Sequence, residues 1–230
     1  MSLIGFFAEY IFASTVDIGV ALLSLPFMGI AALTGKHEDK QKVKLLKRHP
    51  QNYHLWIYKD ELKAGTPANQ IELSYTVYDT DEHVRYTARS TQIDKRLTIN
   101  LFDTDINRIA EISERRFKRK RFSGNISILF TAYLAGTGRK DISYSNARRR
   151  ESLDDNSNEY SVIEKKGGWY TVTNHNTGKT SEILKNCSYT FLDFDDPSQE
   201  HLLLTLAFVL EAKNVTFDRE HRKRTAKYGP

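Results

Sequence analysis

Cysteine is almost absent. Cys187 stands alone among 230 residues, which excludes an intramolecular disulfide and removes any pointer to an oxidising compartment. It has no activating His or Arg close in sequence, so it reads as a small apolar packing residue. Metal-ligand patterns are missing too: the seven histidines show no HxxxH spacing. The stretch "GTGRK" (136–140) lacks the spacing and strand-to-helix context of a phosphate-binding loop and reads as a turn. Asp193, Asp195 and Asp196 offer carboxylates, but a strand end and a helix cap explain them more simply than a bound cation. No enzyme class rises from these residues, and no catalytic residue, metal or cofactor is expected. Before Lys36 there is no basic residue, so the N-terminus lacks the n-region of a cleaved signal peptide.

What the sequence does have is a long uncharged run. Ile18 to Thr34 spans 17 residues, about 25 Å of helix, the short end of a membrane span. The preceding "LIGFFAEYIFASTV" either lengthens it or forms a second helix of a hairpin, with Asp17 at a bend or at the interface. A segment lying in the interface and a helix packed on the domain are the alternatives. Lys36, Lys40, Lys42, Lys44, Lys47 and Arg48 follow the run directly. The positive-inside rule therefore puts the C-terminal part in the cytoplasm. Only Glu9 and Asp17 are charged before Lys36, so the remaining 34 Lys and Arg against 27 Asp and Glu leave +7 on residues 36–230. Such an excess favours anionic partners without choosing among them.

From Tyr53 to Phe194 the dominant pattern is alternation. Ten segments rich in β-branched and aromatic residues, among them "YHLWIY" (53–58), "LTINLFD" (97–103), "NISILFTAYL" (125–134) and "SYTFLDF" (188–194), predict strands bounded by turn residues. "NHNTGK" (174–179) reads as a hairpin connection with Gly178 at positive φ. Residues 107–121 fit either a helix or a return strand, and 148–159 read as a polar loop. The terminal helix has clear start signals: Asp196 as cap, Pro197 at the first position and Gln199 placed for a capping box.

That helix opens with "HLLLTLAFVLEA" (201–212), where Leu202, Leu203, Leu206, Phe208, Val209 and Leu210 point round the whole circumference. A helix apolar on all sides must be surrounded, and a dozen residues are too few to cross a bilayer. A closed antiparallel β-barrel with the helix threaded through it meets this demand and removes the exposed sheet edges.

The order of these features resembles the tubby C-terminal superfamily, which includes the plant LURP-one-related proteins and the phospholipid scramblases. "YTVYDTDEHVRYTARS" and "LTINLFDTDINRIAEISERR" resemble its successive hairpins. "WYTVTNHNTGKTSEILKN" resembles its late hairpin, and "YTFLDFDDPSQEHLLLTLAFVLEA" its final strand and central helix. The resemblance covers roughly residues 50–217. It implies a mainly β fold, a barrel of about twelve strands around a hydrophobic C-terminal helix, and anionic-lipid binding as a family theme. The family's lipid-contacting residues have no clear counterparts here. An anchor before the barrel also departs from the scramblases, so scramblase activity does not carry over.

The resulting organisation is a hydrophobic membrane anchor at 1–35, a basic linker at 36–49, the barrel at 50–217 and a frayed basic tail at 218–230. The basic run "RRFKRKRF" supplies Arg115, Arg116, Lys118, Arg119, Lys120 and Arg121 as candidate contacts to lipid headgroups, each worth about 1 kcal/mol near an anionic surface. A tether raises the effective concentration of such a face at the membrane. The expected protein is a non-enzymatic domain, membrane-associated and facing the cytoplasm, with anionic lipid as partner. A protein-interaction module with the anchor only for location is the alternative, and a nucleic-acid partner ranks below both.

Overall fold

The computed structural model describes residues 42–60, 73–93, 96–119, 125–147, 150–155, 157–186 and 189–228. The chain divides into two compact units, Met1–Pro50 and Gln51–Pro230. In the first, residues 42–46 are helical and Leu45 is buried. The apolar run 18–34 lies outside the described residues. Among the described residues, no helix is long and apolar enough to cross a membrane.

In the second unit, twelve antiparallel strands close into a barrel: β1 (Tyr53–Lys59), β2 (Ser74–Tyr78), β3 (Val84–Ile93), β4 (Arg96–Asp103), β5 (Arg108–Arg119), β6 (Ile126–Leu134), β7 (Gly138–Ala147), β8 (Arg150–Asp155), β9 (Tyr160–Lys166), β10 (Trp169–Asn174), β11 (Thr180–Lys185) and β12 (Tyr189–Phe194). Each strand pairs with its sequence neighbours, and the ring closes where β1 meets β12, Tyr53 opposite Phe194. The two-residue period of a strand puts alternate side chains on opposite faces. Leu97, Ile99 and Leu101 of β4 and Ile128, Phe130 and Ala132 of β6 accordingly point into one shared core. Register shifts in the β2–β3, β4–β5, β5–β6 and β9–β10 pairs add local bend to the wall.

A 3-10 turn (Pro197–Gln199) leads into the C-terminal helix, Glu200–Tyr228. Its contacts go all round the barrel. Phe208 meets Tyr75 of β2 edge-on, Thr216 bonds Glu114 of β5, Phe217 meets Tyr144 of β7, Lys213 meets Glu151 of β8 and Glu211 accepts from Thr190 of β12. The helix is therefore the filling of the barrel. Leu203 through Leu210 are all buried, while Leu202 is half-buried. Each large apolar side chain so enclosed contributes roughly 1.5–3 kcal/mol relative to exposure.

Of the two readings of 107–121 the return strand holds, as β5 over Arg108–Arg119. Three sequence expectations need correction. The polar stretch 148–159 contains β8, whose inward positions are Glu151, Leu153 and Asp155, an alternation concealed by its acids. The helix does not fray after Phe217 but runs to Tyr228, since no Gly or Pro interrupts a sequence rich in Arg, Lys and Glu. Asp196 caps the 3-10 turn through the Ser198 N–H as expected, but the Gln199 side chain accepts from Ser181 of β11 instead of reaching back.

Candidate functional site

The basic run falls on the second half of β5 and the residues that follow it. Arg115, Arg116, Lys118 and Arg119 are all exposed; Lys120 and Arg121 lie outside the described residues. A bulge fixes their directions. Glu114 pairs with Phe130 and Arg116 with Leu129, so Arg115 is the extra residue. Past it, Phe117 points inward, where it meets Phe217, and Arg119 shares that side at the mouth of the barrel. Arg116 and Lys118 point outward. Arg115 Nε donates to Thr131 Oγ1 at 3.2 Å, and Thr131 donates on to Asp141 Oδ1 at 2.8 Å. Asp141 also accepts from Arg139 at 2.9 and 3.1 Å. The Arg139 guanidinium, helped by Thr131, holds the Asp141 carboxyl below the usual carboxylate range. Hydroxyls pair across strands on the same outer surface, Thr98 with Ser113 at 3.3 Å and Ser145 with Ser152 at 2.9 Å. The outer face of β4–β8 thus mixes hydroxyls and cations with the acids Glu111, Asp141 and Asp154, of which Glu111 and Asp141 are paired with Arg108 and Arg139, and its remaining cations offer donors to phosphate or carboxylate groups.

Of the linker cations, Lys36 and Lys40 lie outside the described residues. Lys42 is half-buried, and Lys44, Lys47 and Arg48 are exposed. Cys187 also lies outside them. The three acids near the helix start do not converge. Asp193 is buried and accepts from Asn52 at 2.6 Å, Asp195 faces Lys179 and Asp196 caps the turn. "GTGRK" completes the β6–β7 turn with Gly136 and Thr137 and opens β7 at Gly138, with both glycines at positive φ. Beside it opens a cleft of about 440 Å³, lined by Arg139, Lys140, Asp155, Ser157 and Glu159. Lys140 Nζ sits 2.6 Å from Glu159 and 3.8 Å from Asp155, and Arg139 is held by Asp141. The cations of the cleft are thus each held by an acid.

Two features escape sequence reading. First, the interior is not wholly apolar. Toward the end where the helix emerges, described polar helix residues that turn inward meet complementary groups on the wall: Glu211 with Lys185 and Thr190, Lys213 with Glu151, Thr216 and Arg219 with Glu114. Glu151 also accepts from Tyr170 at 2.8 Å. Burial alone would raise the Glu151 pKa, but Lys213 and Tyr170 outweigh it and hold the carboxyl low. Burial pushes the Tyr170 and Tyr75 phenols up and the Lys185 ammonium down. The acid–Leu–acid pattern of β8 was the one available signal.

Second, the repeated "DTD" turns share one geometry. Asp79 Oδ1 accepts from the Asp81 and His83 N–H groups, and Asp103 Oδ1 from those of Asp105 and Asn107. The fourth residue of each, Glu82 and Ile106, has φ of 62° and 66°. Asp79, Asp81 and His83 place one ligand atom each within 4.8 Å of the others. In the second turn Asn107 stands where His83 is, so what repeats is an aspartate-braced hairpin turn.

No family model, curated protein or solved structure matches this chain.

Proposed function

We propose that the protein is a non-enzymatic, tubby-like barrel, anchored to a membrane by its N-terminal apolar run, that binds anionic lipid headgroups on the cytoplasmic side through the basic face of β5. The observation that carries this reading is the outward array Arg115, Arg116 and Lys118, all exposed and set among hydroxyls. The twelve-stranded barrel filled by an apolar helix supports the tubby-like part of the reading. At about 1 kcal/mol per cation near an anionic surface, three cations contribute about 3 kcal/mol, too little for tight binding alone but enough for a domain already tethered.

The test is the salt-sensitive association of the full chain with phosphatidylcholine vesicles, with and without phosphatidylserine. The serine lipid is expected to strengthen binding, and Arg115→Glu with Lys118→Glu to abolish the gain. Equal association with both vesicles would sink the electrostatic reading. Cell fractionation with and without residues 1–35 tests the anchor, which predicts loss from the membrane fraction on deletion.

A further inference from the structure

The barrel separates charge along its axis. Strands alternate in direction, so odd-numbered strands finish at the end where the helix emerges and even-numbered strands begin there. At that end stand Lys59 closing β1, Arg96 opening β4, Lys118 and Arg119 closing β5, and Lys165 and Lys166 closing β9, all exposed. None of these six is in an ion pair with a described residue. The acids near them among the described residues are the half-buried Asp60 and Glu164, the inward Glu114 and Glu151, each paired with a cation, and helix residues already bonded.

The opposite end is built from the acidic turns: Asp81 and Glu82 between β2 and β3, Asp105 between β4 and β5, Glu159 between β8 and β9, and Asp195 and Asp196 after β12. Cations do occur there: among the described barrel residues Arg108, Arg139, Lys140 and Lys179 are each tied to an acid, which leaves Arg85, and the basic linker joins the barrel at this same end, where β1 begins. Strands of this length separate the two ends by roughly 20 Å. That exceeds a Debye length of about 8 Å at physiological salt, so each end presents its own sign to a partner. The negative pole of the helix dipole, about half a charge, is small beside six cations.

We infer that the barrel docks end-on: the rim where the helix emerges faces an anionic bilayer surface, and the acidic turns face away. This deepens and rests on the lipid-binding reading above, and it differs from side-on docking by β5 alone. Six cations spread round a ring fit a flat, fluid array of headgroups better than a single cleft-bound ion. The acidic end adds a repulsion that disfavours the inverted pose.

The test is a lysine footprint of the full chain on vesicles. A membrane-impermeant acylating reagent is applied in brief pulses, and modification at each lysine is read by mass spectrometry. Phosphatidylcholine vesicles are compared with phosphatidylcholine plus phosphatidylserine. End-on docking predicts several-fold slower labelling of Lys59, Lys118, Lys165 and Lys166 on the anionic vesicles, relieved by high salt, with Lys140 and Lys179 unchanged. Changing Lys59, Lys165 and Lys166 together to Glu is expected to weaken anionic-vesicle binding by at least about fivefold per charge. Asp81→Lys with Asp105→Lys is expected to leave it unchanged. Protection confined to Lys118 would overturn the end-on pose while the lipid reading survives. No difference between the vesicles would overturn both. Protection by duplex DNA where serine-lipid vesicles give none would overturn the assignment to lipid.

Discussion

Lys213 of the C-terminal helix donates to Glu151 of β8 at 2.5 Å, and both side chains are largely enclosed by the barrel. The pair joins the helix to a strand 62 residues earlier in the chain. Its net worth against a well-packed apolar pair is small, but removing one partner strands the other charge in the interior. Glu151→Gln is expected to destabilise the domain by about 3 kcal/mol, whereas Glu151→Gln with Lys213→Met recovers much of the loss. Urea unfolding of the two variants checks this.

The same carboxyl sets a pH limit. The folded pKa of Glu151 lies below its unfolded value. The stability it contributes is therefore fully present above the ordinary carboxylate range and lost as pH falls through the folded pKa. Wild-type unfolding midpoints are expected to drop on acidification below about pH 5, and those of Glu151→Gln to drop less steeply. A thermal scan across pH 3–7 measures the two slopes.

Phe208 is fully buried and meets Tyr75 with ring centroids 5.4 Å apart. Phe208→Ala opens a cavity in the axis of the barrel, where a closed wall cannot collapse inward, and is expected to cost about 4 kcal/mol. Phe208→Leu should cost less than half of that. Calorimetry distinguishes them.

Gly168 has φ of 81°, and a Cβ there would lie 2.1 Å from the Lys185 carbonyl oxygen. Gly178, at φ of 69°, has open space around it. Gly178→Ala carries only the backbone penalty, about 1 kcal/mol. Gly168→Ala also forces apart β10 and β11 and is expected to cost several times more. Comparing the two melting temperatures isolates the contact from the backbone term.

Ile106 offers a change of the opposite sign. It is a β-branched residue at φ of 66° with its side chain mostly exposed, a conformation that favours Asn or Gly. Ile106→Asn is expected to stabilise by about 1 kcal/mol. A fall in melting temperature would show that the isoleucine makes a contact worth more than its strain.

How much of this was legible in the sequence follows from which positions face inward. Where the wall points Leu, Ile, Val or Phe at the helix, as in β4, β6 and β10, alternation marks the strand plainly. In β8 the inward positions are Glu151, Leu153 and Asp155, and the strand reads as loop because its acids find their partners inside the protein, Glu151 on the helix and Asp155 at Ser157 and Tyr160. The all-round apolar stretch Leu203–Leu210 announced a surrounding wall, but the residues after Phe217 read as a tail, because the partner of Arg219, Glu114, lies on a distant strand. The basic run of β5 was visible as composition. Its bulge, which splits the run between the outer face and the mouth, was not, since register belongs to pairs of strands. Charge separation along the axis was equally hidden, because it emerges only when alternate turns are sorted to opposite ends.

The ring closes through β1 and β12, which bring Asn52 to Asp193 across 141 residues. A growing polypeptide therefore holds an open, curling sheet with two unsatisfied borders until β12 has left the ribosome. Only after that can the plug be laid in and the gap sealed. Such long-range closure makes assembly slow, and it leaves the nascent sheet exposed to unwanted pairing until β12 arrives.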